Sequence, residues 1–316
     1  MTKAMEMTTN NTNKAITTIN NDLAQRWINF VDVRPKSKST YDTAIKQLFK
    51  YFAENNITQP ARQDIINFRD EMLKTRKPTT TALYLTAAKL FFRWLSIEGI
   101  YNNNIADHIK NPRIDKGHKK DALSAKQVAT LLKSVNTSSL GGLRDRAILA
   151  LMASAALRTI EIQRCNIEDL HEVAGRYYLQ VQGKGHDDRN DSVLVPTQVY
   201  KAICEYLQAR GEVELSAPLF ASVASKNYGQ RLTTQSISRI AKQQLRSIGI
   251  DSRRYTAHSL RHSAISLSIL NGATLEQASQ MARHSSISVT MIYNHTIQRL
   301  QNQSEQLAAD AIFNFM

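Results

Sequence analysis

The chain has 316 residues, 42% of them hydrophobic, and carries 41 Lys and Arg against 27 Asp and Glu, a formal charge of +14. That length predicts about two domains, and the hydrophobic content excludes a wholly disordered chain. Residues 1–120 hold 20 basic and 11 acidic residues and residues 121–316 hold 21 and 16, so both parts are basic and a polyanionic partner is favoured.

The sequence lacks the marks of a secreted or membrane protein. Residues 1–20 form a polar tail rich in Asn and Thr, and no apolar run approaches 18 residues. The two cysteines, Cys165 and Cys204, form no CxxC pair, which argues against a disulfide framework or a cysteine zinc site. We therefore expect a cytoplasmic protein without a membrane span.

The segment 21–106 predicts a helical N-terminal domain. Its apolar residues recur at helical spacing, and its polar faces carry many Lys and Arg. The predicted elements are a helix with Ser39 as N-cap and Asp42 three residues on, helices over 61–76 and 80–98, the last ending at Gly99, and a basic linker over 107–120.

Residues 121–296 predict a second, mainly helical domain with a small sheet. Ser124 and Gln127 form a capping box before its first helix. Residues 176–182 alternate apolar and polar side chains, which predicts a strand. The remaining predicted elements are a buried helix ending near Leu157–Arg158, a turn GKGHDDRND, a second strand at Ser192–Val195 and helices after Thr197.

Arg158 and Lys184 are the first candidate site residues. Arg158 follows a strongly apolar helix, where an unpaired guanidinium is costly, so it should meet an anion or a carboxylate; a salt bridge to Glu161 would satisfy that need. Lys184 lies between two glycines at the tip of the predicted hairpin, where the turn projects it outward. An ordinary exposed turn lysine gives the same pattern.

The motif HSLRH supplies the next candidates. On a helix, His258 and Arg261 share a face, and one can transfer a proton while the other grips a phosphate with two donors. A metal site built on His258 and His262 is the rival interpretation. The glutamate of HExxH is missing and no further ligand follows at zinc spacing, so we predict no metal.

His284 and Tyr293 close the candidate set. Asn271-Gly272 ends the preceding helix, Thr274 and Gln277 form a capping box, and Ser285 or Ser286 can cap a short helix that ends near Tyr293. A tyrosine taken alone is more often a core or rim aromatic.

Six residues occur in a characteristic order: Arg158, Lys184, His258, Arg261, His284 and Tyr293, with HxxR spacing and Tyr293 nine residues after His284. In this pattern the chain resembles the tyrosine recombinases, the phage-integrase family that includes the Xer proteins. The resemblance covers nearly the whole chain and is strongest in LRDRAILALMASAALRTIEI, VQGKGHDDRNDSVLVP, TAHSLRHSAISL and ARHSSISVTMIYNH.

The resemblance implies a mainly α fold in which an N-terminal helical SAM-like core-binding domain and a mostly helical catalytic domain with a small β-sheet form a C-shaped clamp around DNA. The expected divisions are a tail over 1–20, the core-binding domain over 21–106, the linker over 107–120, the catalytic domain over 121–296 and a C-terminal helix over 297–316. The residues leave open whether that last helix packs in cis, and the resemblance favours its exchange between subunits.

The resemblance also implies a role for each residue. Tyr293 would attack a DNA phosphate to form a 3′-phosphotyrosyl bond, with Glu161 orienting the basic cluster. One phosphodiester is exchanged for another, so no cofactor, ATP or metal is expected. The other implied roles are binding of the non-bridging oxygens by Arg158, Arg261 and His284, general acid by Lys184, and assistance to proton transfer at Tyr293 by His258.

The implied partners are double-stranded DNA at specific recombination sites and three further copies in a homotetramer on two duplexes, at the nucleoid. A partner recombinase or a directionality factor stays open. The expected DNA contacts are basic residues of the N-terminal part: Lys46, Lys50, Arg76, Lys77, Lys89, Arg93, Lys119 and Lys120.

Mobile-element integration or excision is the expected role, with Xer-type resolution of chromosome or plasmid dimers as the alternative. A type IB topoisomerase would relax supercoils without exchanging strands between two sites. A non-catalytic DNA-binding accessory protein would not need the full residue set, and a helical scaffold would show no salt-sensitive DNA binding.

Two positions depart from the family pattern. The family usually has a glycine just before the second histidine, where this chain has Arg283, and often a proline before the HxxR histidine, where it has Ala257. Neither change removes a catalytic group. Arg283 puts the local backbone, and a DNA contact there, in question.

Overall fold

The structure, a computed structural model, describes residues 20–114, 121–183, 188–293 and 302–314. It divides into two compact units, Met1–Lys116 and Gly117–Met316. The division falls within the predicted linker, of which residues 115–120 lie outside the described part. Within the described ranges, no helix combines the length and apolar character that a bilayer crossing needs.

The first unit is a small helical bundle, as predicted. Phe91 is fully buried in it, and the rings of Trp27 and Phe49 each pack edge to face with its ring at 5.6 Å between centroids. Burying such large aromatic side chains is the main stabilisation of a unit this small. Its helices are α1 (Asn21–Phe30), α2 (Pro35–Glu54), α3 (Arg62–Thr75) and α4 (Pro78–Ile97), and α4 packs against the other three.

The start of α2 differs from the prediction. The helix begins at Pro35, so Ser39 lies inside it and is not its N-cap. Proline suits the first helical position because it lacks only an N–H that would have no partner there. The bounds of α3 and α4 agree with the predictions within two residues, and Gly99 follows α4 with a positive φ of 69°.

The second unit is mainly helical with one three-stranded antiparallel sheet in the order β1-β2-β3. This confirms the predicted fold class. Its elements are α5 (Ala125–Lys133), α6 (Leu140–Ser154), α7 (Thr159–Arg164), β1 (Leu170–Val173), β2 (Arg176–Val181), β3 (Asp191–Val195), α8 (Thr197–Arg210), α9 (Thr234–Ser247), α10 (Ala257–Leu270), α11 (Leu275–Ala282), α12 (helical residues 287–293) and α13 (Ser304–Phe313).

Helix α6 is the core of this unit and packs against α5, α8, α9 and α10. It ends at Ser154, a few residues before the predicted end near Leu157–Arg158. Ala156 turns the chain with a φ of 51°, while the side chains of Ala155 and Leu157 stay buried. Because buried apolar residues continue past the end of the helix, the sequence pattern predicts an end that is a few residues too late. The turn brings Arg158 to the start of α7.

Candidate active site

Arg158 and Glu161 form one side of the site at the N-terminus of α7. Arg158 is the N-cap of this helix. Glu161 is fully buried; its two carboxylate oxygens accept from the backbone N–H of Arg158 at 2.8 Å and from its Nη1 at 2.6 Å. The expected salt bridge therefore forms, and it fixes the guanidinium while about a quarter of the side chain stays exposed.

Arg261 lies on α10 and is almost completely buried. Its guanidinium donates to the carbonyl oxygens of Ala156 and Ala282, which join the turn after α6 to the end of α11. Burial, together with the like charge of Arg158, lowers the pKa of Arg261 to about 9. The group stays charged at neutral pH, and a bound anion would offset the cost of burying it.

His284 contributes a neutral imidazole to the site. Its Nδ1 lies 2.8 Å from the hydroxyl oxygen of the buried Thr290. Burial, followed by the charges of Arg261 and Arg158, lowers its pKa to about 4, so the ring is neutral at pH 7. If the Thr290 hydroxyl donates to Nδ1, the proton of the ring resides on Nε2 and can be donated to a ligand.

Tyr293 ends the described part of α12, and its side chain is buried. Its ring lies 6.4 Å from that of His284, nearly parallel to it, and its hydroxyl is hydrogen-bonded to Nδ1 of His262. Burial raises the pKa of Tyr293 to about 12, although Arg261 and Arg158 act in the opposite direction. The phenol is therefore protonated at neutral pH and needs a proton acceptor to become a nucleophile.

His262, which contacts the phenol of Tyr293, lies one helical turn after His258 on α10. His262 is buried, whereas His258 is exposed, and their rings meet edge to face with centroids 4.3 Å apart. From the sequence, His262 enters only the rival interpretation of HSLRH as a metal site. Its position four residues after His258 could have indicated a place on the same helix face.

Arg283 is the second residue that the sequence interpretation did not place in the site. Its φ of 50° is left-handed, the conformation that a glycine adopts readily, and it ends α11. Its guanidinium pairs with Glu161 at 2.7 Å and donates to the Met281 carbonyl at 2.7 Å. The side chain thus points into the protein, where Glu161 holds it beside Arg158.

Five of the six predicted site residues lie in this cluster: Arg158, His258, Arg261, His284 and Tyr293. Lys184 lies outside the described residues, although the carbonyl of Gly183 just before it accepts from Arg164 at 3.0 Å. Three guanidinium groups surround a single carboxylate, so the cluster is strongly positive and suited to a phosphate.

The expected DNA contacts fall on the first unit. Lys46 pairs with Asp42 at 2.7 Å and Lys50 with Glu54 at 3.6 Å, each within α2. Lys89 is half-buried, and the other candidates that are described are exposed: Lys46, Lys50, Arg76, Lys77 and Arg93. Lys119 and Lys120 lie outside the described residues.

Comparison with known proteins assigns both units. Residues 121–299 match the phage integrase family, and residues 26–99 match the phage integrase N-terminal SAM-like domain. The tyrosine recombinase XerD of Listeria innocua is 28% identical over 299 residues, which cover 90% of this chain and 98% of that protein.

Two solved structures share the fold. A pre-cleavage complex of the XerH site-specific recombinase with its difH substrate has a TM-score of 0.68 at 19% identity, covering 86% of this chain and 78% of that one. A lambda integrase tetramer bound to a Holliday junction has a TM-score of 0.67 at 15% identity, covering 89% of this chain and 78% of that one. Since the family match spans more than half of the sequence, the chain belongs to the phage integrase family and is a tyrosine-type site-specific recombinase.

Proposed function

We propose that this recombinase cuts and rejoins DNA with Tyr293 as the nucleophile. The observation that carries the proposal is the position of its phenol, buried and hydrogen-bonded to His262 with its ring beside that of His284, in the cluster that contains Arg158 and Arg261. The phenol oxygen attacks a backbone phosphate, a 3′-phosphotyrosyl bond forms, and a free 5′ hydroxyl leaves.

The basic groups act on the phosphate. Arg158 and Arg261 bind its non-bridging oxygens and stabilise the charge that builds up in the transition state, with His284 as a neutral donor. Arginine suits this role because it stays charged and presents its donors in a planar fork. Glu161 orients Arg158 through two hydrogen bonds.

Proton transfer completes the step. Lys184, outside the described residues, protonates the departing 5′ oxygen, and His258 assists removal of the proton from Tyr293. A 5′ hydroxyl from a second strand then reverses the attack and rejoins the DNA. Each step exchanges one phosphodiester for another and consumes no external energy.

The proposed partners are double-stranded DNA and three further copies of the chain. Of the two solved structures named above, one is a recombinase bound to its difH substrate and the other is a tetramer bound to a Holliday junction. In α13, Leu307, Ile312 and Phe313 are each more than 60% exposed, and no described side chain of this helix is buried. Such a helix supports docking on a neighbouring subunit in a homotetramer on two duplexes.

For the biological role we propose integration or excision of a mobile element. Resolution of chromosome or plasmid dimers is the second candidate, because the XerD relative matches over 98% of its length. Deleting the gene discriminates between the two: the first role predicts loss of the excised circular element, and the second predicts accumulation of unresolved dimers.

The central experiment uses a nicked suicide duplex that carries the native site, identified from the flanks of the gene. Wild type is expected to form an SDS-resistant protein–DNA adduct and Tyr293→Phe none. Arg158→Ala and Arg261→Ala should still bind the duplex yet form the adduct at least 100-fold more slowly, since each removes transition-state stabilisation. An adduct that persists in Tyr293→Phe would refute the assignment of the nucleophile, and normal cleavage by the arginine variants would refute theirs.

A further inference from the structure

The phenol of Tyr293 must lose its proton as its oxygen bonds to phosphorus. With a pKa of about 12, on the order of one molecule in 10⁵ holds a phenolate at pH 7. General-base catalysis by a group in direct contact with the hydroxyl would avoid this penalty.

His262 has the required contact. Its Nδ1 is hydrogen-bonded to the hydroxyl of Tyr293, and the two ring centroids lie 5.1 Å apart. The phenol donates and Nδ1 accepts when the imidazole carries its proton on Nε2. The side chain of His262 is buried on α10, so its ring is held by the surrounding core.

We propose that His262 is the group that takes the proton of Tyr293 directly, and that His258 assists through it. The inference rests on the proposed function and specifies where its proton goes. His258 is exposed and packs edge to face on the ring of His262 at 4.3 Å between centroids. His258 is thus a positioning residue for His262.

The step balances without an additional reactant. The O–H bond of Tyr293 breaks as its oxygen bonds to phosphorus, and Nδ1 of His262 gains the proton and becomes an imidazolium. The bond from phosphorus to the 5′ oxygen breaks, and that oxygen takes a proton from Lys184. During rejoining, His262 returns its proton to the departing phenolate of Tyr293.

The first test replaces His262 with Asn, whose amide oxygen accepts a hydrogen bond near the place of Nδ1 but is not basic. We expect adduct formation on the suicide duplex to slow by roughly 10²–10⁴-fold, the usual contribution of general acid–base catalysis. Binding of the duplex and the thermal unfolding temperature should not change. His108→Asn, at an exposed histidine of the first unit, is the matched control and should cleave as wild type does.

The second test separates a base from a merely structural contact. Incorporating 3-fluorotyrosine at position 293 makes the phenol more acidic and lessens its need for a base. The defect of His262→Asn should then shrink severalfold, whereas the defect of Arg158→Ala, which acts on the phosphate, should stay the same. If fluorotyrosine does not reduce the cleavage defect of His262→Asn, the inference is overturned. It is also overturned if fluorotyrosine restores cleavage by His258→Asn but not by His262→Asn.

The outcomes also distinguish this inference from the proposed function. Normal cleavage by His262→Asn sinks the inference and leaves the nucleophile assignment intact, whereas absence of any adduct with wild type sinks the proposed function. If Asn at this position unfolds the protein, nitrogen NMR of the wild-type histidines decides instead. A proton on Nδ1 of the neutral ring of His262 would overturn the inference, because that nitrogen could not then accept.

Discussion

At the scale of single residues, Arg283 occupies a backbone conformation that disfavours side chains. Its φ of 50° costs a non-glycine residue about 1–2 kcal/mol. Its guanidinium offsets this by pairing with Glu161, which also binds Arg158. Arg283 therefore ties the turn before His284 to the carboxylate that pairs with Arg158, the arginine that we propose binds the phosphate.

Two substitutions separate the backbone strain from the ion pair. Arg283→Ala keeps the strain and loses the contacts, whereas Arg283→Gly loses the same contacts and relieves the strain. We expect the alanine variant to be less stable than wild type by about 3 kcal/mol, at the low end for breaking a buried pair because Arg158 still neutralises Glu161. The glycine variant should recover about 1 kcal/mol of that loss. Urea denaturation at pH 7 measures the free energy of unfolding of both variants. Equal stabilities of the alanine and glycine variants would contradict the role of backbone strain.

The pH dependence of the stability loss in Arg283→Ala tests whether the loss comes from the ion pair with Glu161. Burial alone would raise the pKa of Glu161, but Arg283 and Arg158 outweigh it and hold the pKa below the ordinary value of 4.5. A carboxyl with a lowered folded-state pKa stabilises the protein above that ordinary value and loses this contribution as the pH falls through the folded value. The difference between wild type and Arg283→Ala should thus be complete above pH 4.5 and shrink below it.

The sequence could supply the order and chemistry of the site residues, but not which histidine meets the phenol. His258 and His262 lie one turn apart on α10, and their contact with Tyr293 depends on how α12 packs against that helix. The pair between Arg283 and Glu161 joins residues 122 positions apart. Local sequence patterns do not encode contacts between such distant residues. The sequence therefore does not place His262 and Arg283 in the site.

At the scale of elements, most predictions of helices and strands that rest on a local sequence signal agree with the structure. Elements without such a signal were not predicted. The capping boxes at Ser124 and Thr274 are present in the structure, because the cap and its partner are three residues apart. Strands β2 and β3 agree with the prediction within one residue. Strand β1 was missed, since it has four residues at the sheet edge and its burial does not alternate.

Helix α13 allows a test of subunit exchange. Replacing Leu307 and Phe313 with Ser removes two side chains that are each 65% exposed. We therefore expect the unfolding temperature and the binding of a single site to stay unchanged, while assembly of two DNA sites into one complex weakens at least tenfold. Native gel electrophoresis with two labelled duplexes reports the assembly.

The matched control replaces Gln306 and Asp310, two polar residues of the same helix that are bonded to each other at 2.7 Å. Substituting both with Ala should leave assembly intact. A drop in the unfolding temperature of the Leu307 and Phe313 variant, with assembly unaffected, would show instead that the helix packs on its own subunit.

At the scale of the whole molecule, the excess charge is distributed in two ways. In the second unit, Arg158, Arg261 and Arg283 gather around one buried carboxylate, which concentrates positive charge where one phosphate would bind. In the first unit, the exposed candidate contacts Lys46, Lys50 and Arg93 lie on helices, and Arg76 and Lys77 lie at the turn between α3 and α4. The first arrangement suits catalysis on a single phosphate, and the second suits electrostatic binding along a duplex.

Salt dependence tests that division. Each phosphate neutralised by a cation contributes about 0.9 to the slope of log K against log salt concentration. Neutralising Arg76 and Lys77 to Ala should therefore lower the magnitude of the slope by about 2. The same change at Lys46 and Lys50 should lower it less, because carboxylates 2.7 and 3.6 Å away already offset those charges. Fluorescence anisotropy of a labelled duplex over a KCl series measures the slopes. Identical slopes in wild type and both double variants would remove these four residues from the DNA interface. A flat wild-type slope would favour a scaffold that does not bind DNA.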